Sequence, residues 1–449
     1  MIQFYGEMKG RCIMKIFHIS DLHIGKQLKM YDIGEVQQRM LAKIVEEARR
    51  VQPDAIVIAG DIYDKSAPSG EAFRIFDGFL TALSELEPEI PVFIISGNHD
   101  NQLRLNYAGS FLAKHHIYIA ASLPKTEEEY LQKIVLQDNY GVVNFYLLPF
   151  VRPADAKNLL KCGEAGRQDG SWKNENEGIQ GAHDSLKSEA ESVETKENRE
   201  TEESLKIRSY DDAVGMFLSR EKVDFSQRNV LVAHQFFVSG ETAPERRDSE
   251  QQYISVGGID SVSTEWVRAY DYVALGHIHS RQSIGETHIR YSGTPWKYSL
   301  SEEKDEKGIT VVDLGEKGQT PEISYIPLNI KPDVRSVKGT FREVWDMVDA
   351  DNRTDYVSIT LTDEDESALR DSKVRLGERY EHIMEIMVEN SRTQAILERD
   401  LEEGDSEDPL TLFGIFYREM HDQPMSEAEL ATMKEIIGSL SDGPNQEGT

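Results

Sequence analysis

Seven side chains of the kind that bind metal ions each follow a short apolar run of the sequence. They are Asp21, His23, Asp61, Asn98, His234, His277 and His279. Each run has the length and composition of a buried β-strand, and the carboxyl ends of parallel strands share one edge of a sheet. Asp21 and His23 are two residues apart, as are His277 and His279, a spacing that lets both members of a strand-like pair point the same way. The pattern therefore predicts a shared metal site at this edge.

The composition of this set indicates the ions and the reaction. Two carboxylates, one amide oxygen and four imidazoles favour Mn²⁺, Fe or Zn²⁺ over Ca²⁺, which prefers oxygen ligands. Seven ligands are too many for one tetrahedral ion, but they suit two octahedral ions that also keep waters. In such centres, with ions about 3.5–4 Å apart, a bridging carboxylate reduces their repulsion and a shared water attacks phosphorus in line. Asp61, central in the order, is the expected bridge.

Each motif alone would be weak evidence. A lone D-x-H or G-x-H sequence is ordinary loop polarity, and a histidine near a strand end is usually a packed, hydrogen-bonded side chain. The specific signal is the ordered set D-x-H, GD, GNHD, H and GHIH, each placed after an apolar strand. The other histidines lack this context and are assigned to packing or to the surface.

The elements that must position these residues alternate along the chain. Predicted strands at 15–20, 55–59 and 92–96 are separated by amphipathic helices at 33–50 and 70–86. Alternation of this kind is the signature of an α/β fold. Further strands are predicted at 142–148, 229–233, 271–275, 289–292 and 309–313. One large domain over about 14–330 accounts for them, with residues 1–13 as an extension that adds no element and Met14 as the plausible start of the fold.

At these motifs the chain resembles the calcineurin-like metallophosphoesterases and, within them, the SbcD family. The segments that carry the resemblance are His-Ile-Ser-Asp-Leu-His-Ile-Gly (18–25), Gly-Asp-Ile-Tyr-Asp (60–64), Ser-Gly-Asn-His-Asp (96–100), Gly-His-Ile-His (276–279) and Tyr-Ser-Gly-Thr-Pro (291–295). The resemblance implies a two-sheet α/β metallophosphoesterase sandwich flanked by helices, with a small α+β capping domain and a C-terminal helix pair.

The resemblance also implies roles for individual residues. One ion would be held by Asp21, His23, Asp61 and His279, and the other by Asp61, Asn98, His234 and His277. His99 would be catalytic, stabilising the transition state or protonating the leaving oxygen, since imidazoles titrate near neutrality. Asp64 departs from the pattern, because archaeal and eukaryotic relatives carry a histidine there, near the DNA.

The implied function is metal-dependent hydrolysis of DNA phosphodiesters in DNA repair and recombination, exonucleolytic on double-stranded ends and endonucleolytic on single strands or hairpins. Mn²⁺ is the expected cofactor, and the family's partner is SbcC, an ATPase with a long coiled coil, in an assembly that contains a dimer of the nuclease. Two alternatives remain open. One is a phosphatase or cyclic-nucleotide phosphodiesterase of the same fold, and the other is a non-enzymatic DNA-end scaffold with a decayed site.

The rest of the chain divides by composition. Residues 161–208 hold 12 acidic and 8 basic residues among Gly, Ser and Asn, and are predicted to be a disordered insertion with some helix at 184–206. A capping domain at 331–390, with helices at 340–350 and 366–378, is followed by an acidic linker at 391–408. A helix pair at 409–441 is expected to bind the partner through Phe413, Phe416 and Tyr417, although it could instead pack on its own domain.

Composition and charge limit the binding properties and cellular locations that fit this chain. The 449 residues carry a net charge of −30, yet residues 1–160 are only −3, so the acidic excess lies mainly behind them. Tight binding of DNA, which depends on Lys and Arg, is therefore expected to need a second subunit. Two cysteines make no disulfide framework, and the absence of a long apolar stretch or secretory signal predicts a cytoplasmic protein without a membrane span.

Overall fold

The first β-sheet is built from the predicted alternation of strands and helices. Its six strands are β2 (Met14–Ile19), β5 (Ala55–Ala59), β6 (Val92–Ile95), β7 (Ile117–Ala120), β16 (Gly308–Leu314) and β17 (Glu322–Pro327), in the order β17-β16-β2-β5-β6-β7. Strands β2, β5, β6 and β7 run parallel, whereas β16 and β17 are antiparallel additions. Strands β5 and β6 are completely apolar, as expected where both faces are covered, whereas β2 also carries Lys15 and His18.

Two helices connect the parallel strands. Helix α1 (Gly34–Val51) follows β2, and α2 (Gly70–Ser84) follows β5. Each buries one apolar stripe at helical spacing, which in α1 includes Met40 and Ile44. The hydroxyl of Ser69 accepts a hydrogen bond from the amide of Ala72 and so caps the start of α2. Both helices lie within two residues of their predicted bounds.

The second sheet has seven strands. They are β1 (Ile2–Gln3), β8 (Gln132–Asp138), β9 (Gly141–Leu148), β10 (Arg228–His234), β13 (Tyr272–Gly276), β14 (Gln282–Ile284) and β15 (Glu286–Tyr291), in the order β1-β8-β9-β10-β13-β15-β14. The expectation that residues 1–13 add no element is wrong at Ile2–Gln3, because these residues pair in parallel with Ile134 and Val135. Two residues are too few for sequence periodicity to detect.

The two sheets face each other across an apolar core. Val57 and Phe93 of the first sheet join Phe145 and Val232 of the second in one buried cluster, and the rings of Phe93 and Phe145 lie 4.8 Å apart. The predicted two-sheet α/β sandwich is therefore confirmed.

One buried polar bridge crosses this core. His18 on β2 donates from Nε2 to the carbonyl oxygen of Leu275 at 3.1 Å and accepts at Nδ1 from the Tyr272 hydroxyl at 2.8 Å. The carbonyl can only accept, so the neutral ring carries its proton on Nε2. The sequence places His18 among the packing histidines, and its contacts are of that kind.

Helices α5 (Pro153–Gln168) and α6 (Tyr210–Arg220) cover the outer face of the second sheet. Leu159 of α5 and Phe217 of α6 belong to a buried cluster with Leu231 and Val273. Because α5 continues through Gln168, the expectation that residues 161–168 are disordered is wrong. Apolar Leu159 and Leu160 anchor this helix, and its polar continuation hid its length in the sequence.

Smaller elements complete this part of the chain. They are α3 (Gln102–Leu105), α4 (Gly109–Leu112), the strand pairs β3 (Gln27–Leu28) with β4 (Tyr31–Asp32) and β11 (Phe237–Val238) with β12 (Val262–Ser263), and 3-10 helices at Ala113–His115, Thr264–Trp266 and Leu300–Glu302. The chain forms two compact units, Met1–Arg335 with Thr354–Val357 and Ser336–Arg353 with Ser358–Thr449.

A three-stranded sheet of β18 (Val334–Gly339), β19 (Tyr356–Leu361) and β20 (His382–Val388) accompanies α7 (Phe341–Asp346) and α8 (Ser372–Leu376). This is the predicted α+β composition, and α7 is shorter than the predicted helix at 340–350. Helix α8 lies within the predicted helix at 366–378, of which residues 366–370 lie outside the described part of the chain. Helix α7 ends early because Asp349 and Asn352 form a polar turn, in which the Asn352 side chain donates to the carbonyl oxygen of Met347.

The computed structural model describes residues 2–3, 13–168, 207–250, 260–364, 371–391 and single positions between 410 and 434. The predictions for 184–206 and for the linker, apart from Ser391, lie outside these residues, as does Phe416. Among the described helices, none combines the length and apolar character needed to traverse a lipid bilayer.

Candidate metal centre

The seven predicted ligands come from both sheets. Asp21 and His23 follow β2, Asp61 follows β5 and Asn98 follows β6, all in the first sheet. Of the three remaining histidines, His234 is the last residue of β10, and His277 and His279 follow β13, both in the second sheet. The site is thus built where the carboxyl ends of strands from two facing sheets meet, rather than along the edge of a single sheet.

The backbone at the site is bent into the left-handed region. The φ angles are 54° at Asp21, 43° at His23, 51° at Asp61 and 97° at His277. Such values are costly for residues with a side chain and concentrate at functional sites. The side chains of Asp21 and His23 therefore converge through a tight turn, and not through the extended alternation that the sequence suggested.

Two glycines make the close approach of these turns possible. A Cβ atom on Gly97 would lie 2.1 Å from Oδ1 of Asp61, and one on Gly276 would lie 1.9 Å from the carbonyl oxygen of Ala59. Both distances are far below any van der Waals contact. The glycines in the GNHD and GHIH motifs are thus required by packing around the ligands.

One group of ligands gathers around His23. Its Nε2 atom lies 3.1 Å from Nε2 of His279, and both rings are almost completely buried. Potential ligand atoms of Asp21, His23 and His279 all lie within 4.8 Å of one another. Three buried donors that face one point are what a divalent cation requires.

A second group gathers around Asn98. Its Oδ1 atom lies 3.0 Å from Nε2 of His234 and 3.0 Å from Nδ1 of His277. The other ring nitrogen of His234 donates to the carbonyl oxygen of Ala59 at 2.7 Å. That bond leaves Nε2 of His234 facing the site, the arrangement typical of a metal-ligating histidine.

Asp61 lies between the two groups. Its Oδ2 atom is 3.3 Å from Nε2 of His234 and 3.7 Å from Nε2 of His23. Asp61 also shares a cluster of potential ligand atoms with Asp21 and His234. A carboxylate in this position can reach ions on both sides, as expected for a bridge.

The electrostatics of the site call for positive charge. Burial favours the neutral form of Asp61, but His234, His23 and His99 outweigh it and hold the pKa of this carboxyl well below its usual range. Burial would lower the pKa of His234, yet the charges of Asp61 and Asp21 raise it to about 9. Burial raises the pKa of Asp21. Carboxylates this deeply buried are stable only beside cations.

His99 stands beside the ligands with one nitrogen committed. Its Nδ1 atom donates to the carbonyl oxygen of Asp64 at 2.7 Å, and its backbone amide donates to Oδ1 of Asp61 at 2.9 Å. Since the carbonyl only accepts, Nε2 is the nitrogen left to exchange a proton. That atom lies 3.9 Å from Oδ2 of Asp61.

Asp64, whose role the sequence left uncertain, supports the site. Its Oδ1 atom lies 3.0 Å from Nζ of Lys26 and 3.5 Å from Nδ1 of His23. Burial alone would raise the pKa of Asp64, but His23 and Lys26 lower it. Asp64 also forms a group of potential ligands with His23 and His99.

The sequence analysis missed the structural role of Asp100, which stabilises the GNHD loop. Asp100 accepts hydrogen bonds from the backbone amides of Ile62, Tyr63 and Gly97 at 2.9 to 3.1 Å. It therefore ties the loop after β5 to the loop after β6. Burial and the charge of Asp61 raise the pKa of Asp100 to about 6, against the lowering effect of these amides. The sequence signal that could have identified Asp100 is its position as the last residue of the GNHD motif.

Two arginines near the second group were also missed. The guanidinium of Arg152 lies over the ring of Phe150, 5.0 Å from its centroid, and donates to the carbonyl oxygen of Asn98 at 3.3 Å. Arg246 lies 3.9 Å from the centroid of Phe236. Both phenylalanine rings contact His277. Arg152 follows β9, so the strand-end rule that found the ligands could have found it.

The residues present fit a pair of divalent ions. Two carboxylates, an amide oxygen and four imidazoles converge with their donor atoms facing inward. Asn98 offers an oxygen to two histidines, and the Nε2 atoms of His23 and His279 face each other. Mutually facing acceptor atoms are explained by cations between them.

Comparison with known proteins decides the family. The family model for calcineurin-like phosphoesterase matches residues 14–281. The chain belongs to this family. Membership implies hydrolysis of phosphoester bonds with divalent metal ions. A second model, SbcD_C, described as the type 5 capsule protein repressor C-terminal domain, matches residues 331–421.

A relative extends the similarity along nearly the whole chain. The SbcD component of nuclease SbcCD from Staphylococcus epidermidis is 27% identical over 435 residues, which is 96% of this chain and 99% of the relative. The predicted resemblance to the SbcD family is therefore confirmed.

Solved structures show weaker likeness. GAP50, the anchor in the inner membrane complex of Plasmodium, is 11% identical, with 71% of this chain and 86% of that chain covered and a TM-score of 0.38. A dimetal phosphatase from Danio rerio is 13% identical, with 71% and 97% covered and a TM-score of 0.34. TM-scores this low support no conclusion.

Proposed function

We propose that this chain is the nuclease subunit of an SbcCD-type complex and hydrolyses DNA phosphodiester bonds. The observation that carries the proposal is Asp61, a buried carboxylate within 3.3 Å of His234 and 3.7 Å of His23. It links two groups of ligands into one centre of the kind that activates water for attack on phosphorus. The relative in Staphylococcus epidermidis is a nuclease component by name and supports a nucleic acid as the substrate.

The ligand assignment follows the two groups. Asp21, His23, Asp61 and His279 would hold one ion, and Asp61, Asn98, His234 and His277 the other. The ions, when bound, supply the charge that lowers the pKa of water and stabilises the charge developing on the phosphate. Mn²⁺ is proposed because it accepts mixed nitrogen and oxygen ligands in octahedral sites.

The chain itself contributes the proton and the substrate contacts. His99 keeps its Nδ1 proton on the Asp64 carbonyl, so Nε2 is the atom that delivers a proton to the leaving oxygen. Arg152 and Arg246 beside Phe150 and Phe236 are placed to contact backbone phosphates.

Three substrates assayed in parallel test the proposal. The purified chain with Mn²⁺ should cleave linear duplex DNA and hairpin DNA, and it should act poorly on a small phosphomonoester. Cleavage should stop on chelation and return with Mn²⁺. Efficient hydrolysis of the monoester without DNA cleavage would instead favour the phosphatase alternative, and metal binding without any hydrolysis would favour the scaffold.

The C-terminal segments are proposed to bind the partner ATPase. Among their described positions, the Tyr417 hydroxyl donates to Glu429 at 2.8 Å, and the rings of Phe413 and Tyr417 lie 6.5 Å apart. Ser426 and Glu429 cap the second segment reciprocally. The bond from Tyr417 to Glu429 joins the described positions of the two segments, and aromatic residues are the common anchors of interfaces.

Dimerisation of the nuclease has a candidate surface. Leu103, Tyr107 and Phe111 expose 81%, 83% and 60% of their area. Tyr107 and Phe111 line a depression of about 470 Å³ together with Phe73. An apolar patch of this kind on a soluble protein marks an interface. We therefore propose that a second copy of the chain covers it.

Substitution of this patch tests the dimer. Tyr107→Asp should shift the mass measured by light scattering toward the monomer, because it places a charge in an apolar contact. Met30→Asp, at an exposed methionine elsewhere, is the matched control. A Tyr107→Asp protein that stays dimeric like the control would exclude this surface.

A further inference from the structure

The Tyr-Ser-Gly-Thr-Pro motif contains none of the predicted ligands, yet it belongs to a network behind one of them. Thr294 of this motif donates its hydroxyl proton to Oε2 of Glu302 at 2.9 Å. Glu302 lies on the 3-10 helix Leu300–Glu302 and has no exposed surface. A carboxylate buried this completely needs a full set of donors.

Five donors converge on Glu302. They are the hydroxyls of Thr294, Ser249 and Ser299, the backbone amide of Tyr298 and the ammonium group of Lys307. Lys307 is the nearest charge, at 2.6 Å, and its side chain is only 8% exposed. With these contacts Glu302 acts as an acceptor.

Ser249 joins Glu302 to a predicted metal ligand. Its Oγ atom lies 2.5 Å from Oε1 of Glu302 and 2.6 Å from Nδ1 of His279. A hydroxyl has one proton to donate, and here Glu302 receives it. Ser249 must then accept from His279, so the proton of this imidazole is on Nδ1.

The proton on Nδ1 of His279 determines the state of the other ring nitrogen, Nε2. With its proton on Nδ1, the ring presents an unprotonated Nε2, the atom that faces His23 at 3.1 Å. The backbone of His279 is held as well, because Lys307 donates to its carbonyl oxygen at 2.8 Å and Glu250 accepts from its amide at 2.9 Å. The contacts with Ser249, Lys307 and Glu250 thus determine both the tautomer and the position of His279.

We propose that Glu302, acting through the Ser249 hydroxyl, is a positioning residue that keeps His279 in the Nδ1-protonated form and thereby sets the metal affinity of the site that His279 serves. The inference rests on the proposed metal centre, but not on the identity of the substrate. Groups that orient a ligating histidine typically contribute about 10–100-fold to metal affinity.

Ser249 is the better place to test the link from Glu302 to His279. Changing buried Glu302 would remove the shared acceptor of five donors, leave Lys307 with Asp305 as its charged partner, and could unfold the protein. Ser249→Ala removes the hydroxyl at a half-buried position. Ser249→Thr retains it and should behave as the original protein does. Ser283→Ala, an exposed serine on β14, is the matched control.

Two measurements on the full chain decide the outcome. Titration with Mn²⁺ by calorimetry should show one of the two sites weakened about 10–100-fold in Ser249→Ala, with the other site, Ser249→Thr and Ser283→Ala little changed. Long-range ¹H–¹⁵N spectra of the metal-free protein, with His279 assigned through His279→Asn, should show an Nδ1 proton that Ser249→Ala partly moves to Nε2.

The proposal requires both effects. Unchanged affinity at both sites in Ser249→Ala overturns it, as does a weakened site with the tautomer unaltered or a failure of Ser249→Thr to rescue. A protein that binds metal and shows the link from Glu302 to His279 but cuts no DNA would refute the proposed function and leave this inference standing.

Discussion

Asp61 is the residue whose position between the two groups of candidate ligands suits the proposed bridge between two ions. Its carboxylate lies between the group around His23 and the group around Asn98, and it also accepts the backbone amide of His99. An amide side chain of the same shape could keep that last bond but could not neutralise two cations. Replacing Asp61 with Asn therefore removes the charge of this side chain and keeps its shape.

Asp61→Asn should abolish phosphodiester hydrolysis and lower the metal content from two ions toward one or none. Elemental analysis after gel filtration, together with cleavage of duplex DNA, checks both effects. Asp77→Asn, at an exposed position on α2, should change neither. Two ions retained by Asp61→Asn would show that the bridge is misassigned.

His99→Gln should lose turnover and keep both ions, because the proposed role of His99 is to protonate the leaving oxygen and not to bind metal. General acid catalysis typically contributes about 10²–10⁴-fold, so a loss of this order is expected with DNA. The loss should be much smaller with a nitrophenyl diester, whose leaving group needs no proton. His115→Gln, at an exposed histidine, is the control. Equal losses on both substrates would remove His99 from proton transfer.

At the scale of elements, the two sheets are joined by a bond that depends on protonation. His18 on β2 reaches Tyr272 and the carbonyl of Leu275 on β13. Burial lowers the pKa of His18 to about 3, and the bond to Leu275 offsets this only in part. The native state therefore keeps His18 neutral at pH values where the unfolded chain is protonated.

Stability should consequently fall as the pH drops below about 6.5, the value for an unfolded histidine. The contribution is fully present above that pH and is lost progressively toward pH 3, because only the unfolded chain takes up the proton in this window. Between pH 7 and pH 5.5 the loss of unfolding free energy due to His18 amounts to about 1 kcal/mol. Urea unfolding of the original protein should show this drop, and His18→Gln should show a drop smaller by that amount. An identical drop in the variant would count against a buried neutral His18.

At the scale of the whole molecule, charge is distributed unevenly. Residues 391–449 hold 4 basic and 14 acidic residues, whereas residues 1–160, which supply the ligands of the first sheet, are nearly balanced. Such an acidic tail repels DNA and suits another protein. The aromatic side chains of the C-terminal segments fit the same interpretation.

Truncation after Glu403 should preserve metal-dependent hydrolysis of small diesters and abolish co-purification with the partner ATPase. The expected reason is loss of Phe413, Phe416 and Tyr417 as anchors. Phe413→Asp in the full chain should reproduce much of the binding loss and leave hydrolysis intact. Unchanged affinity of the truncated chain for the ATPase would place the contact elsewhere.

Local patterns were enough to predict the strands, the crossover helices and the seven candidate ligands. Parallel strands and amphipathic helices are determined by side chains close in sequence, so their bounds were predicted within two residues at β5, β6 and α2. The order of the motifs was sufficient for the family, because each motif follows its own strand.

The tertiary structure decided what depends on distant residues. It brings the candidate ligands together from two sheets and places the Asp64 carboxylate 3.5 Å from Nδ1 of His23. It also brings together Ser249 and Glu302, which are 53 residues apart in the sequence, so that the Ser249 hydroxyl bonds both to Glu302 and to Nδ1 of His279. No periodicity records such contacts, because they arise only when two sheets pack face to face and bring their loops together.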